Sequence, residues 1–289
     1  MKIRAEFIQL YSAISILAFT GLFAKSIPLD GLSITQLRSF VAGLCFLVFF
    51  ALRKKPLMLG SWKIVCGVCF LGCLMGGHWA TFFHSMQVST VAVGMLSFFS
   101  YPIITVLVEP FFCGKKHRLA DVLAAIAVLF GMLILVYPDL FSDSHSGQHL
   151  LGVMWGSFSA VLLTFRNLIQ KYYFADVPSS ALMFYQVVVI AIVALPFVDF
   201  SAVIGFGTQA WILVLILGAG ITAGGHTLLV MSLKNLPAKS VAMIGCIQPV
   251  IAIALAWLVL SEVPELNVLV GGALIISVAV YESWQQSKG

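Results

Sequence analysis

Gly72-Cys73-Leu74-Met75-Gly76-Gly77-His78 and Gly220-Ile221-Thr222-Ala223-Gly224-Gly225-His226 carry one pattern, G-x-x-x-G-G-H, at an offset of 148 residues (220 − 72). Each copy lies in a long apolar run. A second feature follows each copy in the next run. Pro102 comes after Ser100-Tyr101 and Pro249 after Ile247-Gln248, an offset of 147 (249 − 102). Two ordered features at a nearly constant offset are hard to reconcile with chance, so the chain reads as two copies of one unit, 1–138 and 149–289.

Composition sets the solvent of those units. Of 289 residues, 61% are hydrophobic and 9% charged, against about 25% charged in an ordinary soluble domain. So few charges cannot cover so much apolar surface in water. This excludes a soluble enzyme, a disordered chain and a disulfide-rich secreted scaffold. Ten apolar runs can be marked, near 7–27, 32–52, 63–84, 89–112, 119–137, 150–170, 180–198, 209–231, 239–260 and 266–284. They are long and do not alternate, so lipid would fold them as helices, not as a barrel.

Charge orients the runs. With the amino terminus in the cytoplasm, the inner side collects 14 of the 16 basic residues, among them Lys54, Lys63, Lys115, Lys116, Arg118, Arg166, Lys171, Lys234 and Lys239. Lys25 and Arg38 remain outside that set, near the outer ends of the first two runs, while Asp30, Asp139, Asp143, Asp199, Glu262 and Glu265 fall in outer loops. That bias follows the positive-inside rule and puts both termini in the cytoplasm. Five runs per unit is an odd number, so the second copy enters the membrane from the opposite face. The expected fold is therefore an all-α integral membrane protein with ten transmembrane helices, arranged as two inverted five-helix repeats. Such repeats suit carriers that present one central site to each side in turn. Met1-Lys2-Ile3-Arg4 reads as a charged flank, since no small-residue cleavage site follows the apolar run from Phe7.

The second run carries Arg38 and the ninth run ends before Glu262, with Gly271-Gly272 in the tenth. Together with Pro102, Pro249 and the five-run units, this pattern resembles the EamA-domain branch of the drug/metabolite transporter superfamily along essentially the whole chain. The first unit departs from it, because thirteen residues past its proline stands Lys115 where the second unit has Glu262. The resemblance implies small-molecule transport at a bacterial inner membrane, in a family of amino-acid and metabolite exporters, drug-resistance proteins and some importers.

Several residues are candidates for the site. Arg38 lies inside a span, at a cost of at least ~2.5–3.5 kcal/mol on insertion scales; it would anchor a carboxylate or phosphate, or else snorkel outward or pair with Asp30 or another acid. His78 and His226 would serve proton coupling or simply hydrogen-bond a neighbour. Tyr101 and Gln248 precede the two prolines, where a lost backbone bond leaves the carbonyls of Phe98 and Gly245 short of a donor. Pro102 and Pro249 read as gating points or as plain kinks. Trp79, Phe82 and Trp155 offer aromatic surface to a ligand or to lipid. Glu109 is a proton carrier or a salt-bridge partner of Lys115, Lys116 or Arg118. The motif glycines let helix backbones approach closely.

Other signals are discounted. Cys66-Gly-Val-Cys69 reads as buried thiols on a stripe with Cys73, not a redox pair. Asp143-x-His145-x-x-x-His149 reads as a polar loop, not a metal site. Gly218-x-Gly220-x-x-Ala223 has no preceding strand and is not a dinucleotide loop. No catalytic motif, metal site or cofactor is expected, and the scattered cations do not fit a nucleic acid. The expected partners are a small-molecule substrate and the lipid bilayer, with the protein a monomer or homodimer. Alternating access would run about a cavity lined by runs 1, 3, 4, 6, 8 and 9, driven by the substrate gradient or by protons, with an exported amino acid or relative as cargo. The alternatives are an importer of the same fold, a membrane-embedded enzyme acting on a lipid or lipid-linked substrate, and a membrane scaffold. A reporter active only in the cytoplasm and fused after Gly289 should be active, and one active only outside it should be silent; the reverse pattern would overturn the assigned orientation.

Overall fold

The structure is a computed structural model that describes residues 5–20, 27–54, 59–89, 91–140, 149–260 and 266–288. In chain order the helices are α1 (Ala5–Ala18), α2 (Gly31–Arg53), α3 (Trp62–Val88), α4 (Val91–Phe98), α5 (Tyr101–Cys113), α6 (Leu119–Leu140), α7 (His149–Tyr173) and α8 (Ser179–Val193). There follow α9 (Phe200–Ile204), α10 (Thr208–Ile216), a π-helical stretch Leu217–Gly225, α11 (His226–Asn235), α12 (Ala238–Gly245), α13 (Ile247–Leu260) and α14 (Leu266–Lys288). Among the described residues there is no strand.

Five stretches are long and apolar enough to cross a membrane: Gly31–Arg53, Trp62–Val88, Val93–Cys113, Leu150–Tyr173 and Thr208–Asn235. Shorter apolar helices surround them. Helix α2 shows the physics most plainly. Its outward face is Phe40, Leu44, Leu47 and Val48, all exposed, while Ser33, Thr35, Gln36, Arg38 and Ser39 are buried. The polar groups are buried alongside Ile34, Val41, Phe46 and Phe50 while the exposed face is apolar, which a water-soluble helix does not show. Only a hydrocarbon solvent makes that arrangement stable, and the chain is a multi-pass membrane protein.

Helix ends are handled locally. Asp30 Oδ1 accepts from the backbone N–H of Leu32 at 2.9 Å and of Ser33 at 3.0 Å, capping α2. Asp199 caps the short α9 in the same way, and the hydroxyl of Ser201 together with the backbone N–H of Ala202 holds its carboxyl below the usual range. The long apolar runs around the two prolines are each split. One breaks at Phe99–Ser100, between α4 and α5, and the other at Cys246, between α12 and α13. Pro102 and Pro249 lie just past those breaks, where a missing N–H cannot close the preceding turn. The run from Thr208 to Asn235 stays helical but widens to π turns, and the Thr222 hydroxyl bonds Leu217 O, five residues back, at 2.8 Å.

Glycines set the closest packing, though not every glycine of the heptads does so. A Cβ on Gly72 would lie 2.9 Å from Val189 Cβ and 3.1 Å from Gln186 Cα, and one on Gly76 would lie 3.2 Å from Ile190, so α3 seats directly on α8. In the second heptad the expected pair faces open space, since Gly220 has nothing within 4 Å and Gly224 only its own helix at 3.8 Å. The approach to α2 is made instead by Gly218, whose Cβ would meet Val41 Cβ at 2.5 Å and Arg38 O at 3.0 Å. A π turn holds more residues than an α turn, so it shifts which glycine faces the neighbour.

Two further expectations are corrected. Cys66 and Cys73 are exposed on α3 and Cys69 partly so, so this stripe is not buried. Arg166 is 1% exposed and belongs to the interior, not to the inner loops. Lys115, Lys116 and Arg118 are exposed as a loop requires. Lys25, Glu262, Glu265, Asp143 and His145 lie outside the described residues, as do the side chains of His149 and Asp139. Gly218→Ala should destabilise the protein by about 1–3 kcal/mol and Gly220→Ala should leave the unfolding temperature unchanged; equal effects in a thermal unfolding series would contradict the packing described.

Candidate functional site

Arg38 is the deepest cation of α2, at 2% exposure. Its Nε donates to Thr222 Oγ1 at 3.0 Å and its Nη2 to His226 Nε2 at 3.3 Å. Its Cζ stands 3.9 Å from the centroid of the Trp79 ring, which lies 5.2 Å from the His226 ring. Thr222 belongs to the π-helical stretch and His226 follows it, so the distorted helix presents both acceptors to one guanidinium. The Thr222 hydroxyl has already donated to Leu217 O, so it is free to accept. Because a guanidinium only donates, His226 Nε2 must accept, which leaves the proton on Nδ1. That Nδ1 is buried and has no partner among the described residues.

Among the described residues no carboxylate pairs with Arg38. Asp30 is occupied at the start of α2, and the one ion pair among the described residues joins Lys239 to Asp121. The guanidinium neither snorkels nor pairs with an acid. Three of its five N–H bonds meet no acceptor among the described residues. A buried charge held by neutral groups alone is costly.

His78 sits beside this cluster on α3. Its Nδ1 lies 2.7 Å from Ser159 Oγ on α7, while the Ser159 hydroxyl donates to His78 O at 2.9 Å. The imidazole therefore donates from Nδ1, and its ring stacks on Phe98 at 5.0 Å and Phe82 at 6.2 Å. Phe98 in turn stacks on Tyr101 at 5.3 Å. The Tyr101 hydroxyl donates to Ala242 O at 2.9 Å and presses on Gly245, so it bridges the two helix breaks beside Pro102 and Pro249. Arg38, Trp79 and His226 thus form one cluster, and His78, Phe82, Phe98 and Tyr101 a stack beside it, joined through the neighbours His78 and Trp79 on α3. Two candidates stand aside. The Trp155 ring meets His84 at 5.2 Å and Phe158 at 6.4 Å, and Gln248 Nε2 donates to Leu17 O at 3.3 Å.

Arg166 on α7 is the functional candidate that the sequence reading missed. Its Nε and Nη2 donate to Gln186 Oε1 at 2.9 and 2.7 Å, and its Nη1 donates to Asn167 Oδ1 at 2.9 Å. Gln186 Nε2 continues to Gln170 Oε1 at 2.9 Å. A signal was available, because Gln186 lies 148 residues after Arg38 (186 − 38), the same offset as the heptads. The helices α2 and α8, absent from the expected cavity lining, therefore supply two of the most polar side chains of the interior.

Glu109 does something else. Its Oε1 accepts from Ala238 N at 2.6 Å and from the Tyr172 hydroxyl at 2.8 Å, and its Oε2 accepts from Lys239 N at 2.7 Å. It does not pair with Lys115, Lys116 or Arg118. It caps α12, whose own N-cap residue, Pro237, offers no side-chain bond, and an anion suits that helix end. Lys171 Nζ donates to Leu233 O at 2.8 Å and Leu236 O at 2.6 Å, and Lys239 pairs with Asp121. These bonds latch α5 and α6 to the start of α12, and α7 to the end of α11, at the lysine-rich end of the bundle. A cleft of about 380 Å³ is lined by the latch residues Glu109, Asp121, Lys171 and Lys239 together with Lys115 and Arg118. Among the described residues no three His, Cys, Asp or Glu side chains gather to hold a metal.

An apolar helical bundle with cations and imidazoles buried at its centre is the build of a membrane transporter. The chain belongs to the EamA-like transporter family, whose sequence model matches residues 5–137 and again 150–281. It is 23% identical over 274 residues to the uncharacterized transporter YxxF of Bacillus subtilis (strain 168), covering 93% of this chain and 86% of that protein. It is 26% identical over 176 residues to the pseudopaline exporter CntI of Pseudomonas aeruginosa, covering 61% of this chain and 60% of that one. A crystal structure at 17% sequence identity superposes with a TM-score of 0.80 over 98% of this chain and 99% of its own, a likeness of fold.

Glu109→Ala should strip the acceptors from Ala238 N–H and Lys239 N–H and cost about 1–3 kcal/mol. Hydrogen exchange of the 236–242 segment should quicken severalfold; unchanged exchange there would show that Glu109 does not hold α12.

Proposed function

We propose that this protein is a secondary transporter that moves a small carboxylate-bearing metabolite, an amino acid or a related compound, out of the cytoplasm by alternating access. The observation that carries this reading is the buried Arg38 guanidinium, which has neutral partners and spare donors. A cargo carboxylate supplies the missing counter-charge. It takes a bidentate bond from the guanidinium, and the free Nδ1–H of His226 is a further donor close by. Trp79, on which Arg38 stacks, and the Phe82–Phe98–Tyr101 aromatics offer apolar surface to the rest of the molecule.

In this reading the chain crosses the inner membrane ten times as two inverted five-helix repeats, 1–138 and 149–289. The spans are α1, α2, α3, α4 with α5, α6, α7, α8, α10 with α11, α12 with α13, and α14. Support comes from the constant offsets, from the two breaks beside Pro102 and Pro249, from the packing of α3 on α8 and of the π segment on α2, and from a family model that matches twice. The lysine-rich end faces the cytoplasm by the positive-inside rule, and both termini lie there. The Glu109 latch then closes the inner mouth, and releasing Ala238 and Lys239 from Glu109 opens it. Pro102 and Pro249 mark where the split helices flex. Export is favoured by the likeness to a relative named for exporting its cargo.

Arg38→Gln should abolish carboxylate transport in proteoliposomes while the purified protein keeps its elution volume and helical signal. Transport at the wild-type rate in that variant would remove Arg38 from the site.

A further inference from the structure

Arg166 is a second cation buried in the span region, and the reading above leaves it unused. It is 1% exposed, and every acceptor around it is neutral: Gln186, Asn167 and, at 3.5 Å, the Met183 sulfur. One of its Nη1 hydrogens meets no acceptor among the described residues. The lone ion pair among those residues lies elsewhere, at Lys239 and Asp121. Among the described residues the interior therefore holds two guanidiniums and no carboxylate bonded to either.

Their placement is related. Gln186, which grips Arg166, occupies the position 148 residues after Arg38. His226 and His78 are related by the same step. Arg38 bonds His226 directly. Arg166 follows Ser159, the partner of His78, by seven residues on α7, two helical turns along one face. Arg38 thus bonds one histidine of the related pair, and Arg166 lies two helical turns along α7 from the partner of the other. A cargo with a single carboxylate would neutralise one of them and leave the other buried and unbalanced.

We infer that Arg166 is a second anion anchor of the Arg38 site, so that the cargo carries two anionic groups, as an acidic amino acid or another short dicarboxylate does. This rests on the Arg38 reading. Gln186 is a positioning residue in it, holding the guanidinium through two bonds to one oxygen while its own amide is tied to Gln170. Gln186→Glu would place a permanent counter-charge where the amide oxygen now sits and satisfy Arg166 internally.

The test is binding to the purified full chain, read by Trp79 fluorescence quenching and repeated as counterflow in proteoliposomes. The probes are glutarate with its monomethyl ester and glutamate with its γ-methyl ester. The wild type should bind each diacid about tenfold or more tighter than its ester, a difference of about 1.4 kcal/mol. Arg166→Gln should erase that preference and leave ester binding in place. Gln186→Glu should erase it too while raising the unfolding temperature, which guards against a variant that fails to fold. Arg38→Gln should lose diacid and ester alike. Equal wild-type binding of diacid and ester, with the ratio unmoved in Gln186→Glu, would overturn the second anchor and leave Arg38 standing. Binding of none of the four probes by the wild type would overturn the Arg38 reading and this inference with it.

Discussion

The structure depends on one constraint: a permanent cation held in a low-dielectric interior without an anion beside it. Lipid offers no water to solvate Arg38, and the protein offers a hydroxyl, an imidazole nitrogen and an indole face. Each helps, but none carries opposite charge, so the guanidinium keeps a large part of its burial cost. A structure can retain such a group where something transient completes it. The surrounding packing is built to hold the side chain in place all the same. Gly218 lets the π segment ride directly on the Arg38 backbone, and the wider turns carry Thr222 and His226 to its donors.

The elements around that site are interrupted where a moving carrier needs them to be. Helices α4 and α12 stop short of Pro102 and Pro249, and Tyr101 spans from one break to the other through Ala242. At the lysine-rich end, Glu109 reaches across 129 residues to the first N–H groups of α12. A carboxylate on a helix N-terminus contributes about 0.3–2 kcal/mol, here through the N–H groups of Ala238 and Lys239. Residues of the first repeat are thereby bonded to the start of α12 in the second, away from the apolar packing between α3 and α8.

Much of this was legible in the sequence. The membrane solvent followed from 61% hydrophobic residues and 9% charged, and the break points followed from two prolines. Arg38, Trp79 and His226 were each visible as costly or unusual groups inside apolar runs. Their convergence was not, because it depends on tertiary packing between residues up to 188 apart. The π segment hid the working glycine, since an α-helical register points to Gly220 when the wider turns bring Gly218 to the interface. Arg166 was misread because Lys171 follows it closely and the pair resembles a basic loop, whereas seven residues of helix separate Arg166 from the helix end at Tyr173. Glu109 read in the sequence as a proton carrier or a partner of Lys115, Lys116 or Arg118, but backbone N–H groups of a distant helix are fixed in place and need no side-chain entropy to reach it.

The most direct test of the central claim is a structure determined with a bromine-tagged dicarboxylate bound, located by its anomalous signal. The account predicts a carboxylate within hydrogen-bond distance of the Arg38 guanidinium, with the bonds to Thr222 and His226 shared or remade around it. Bromine density elsewhere in the molecule, with Arg38 still held by Thr222 and His226 alone, would contradict it.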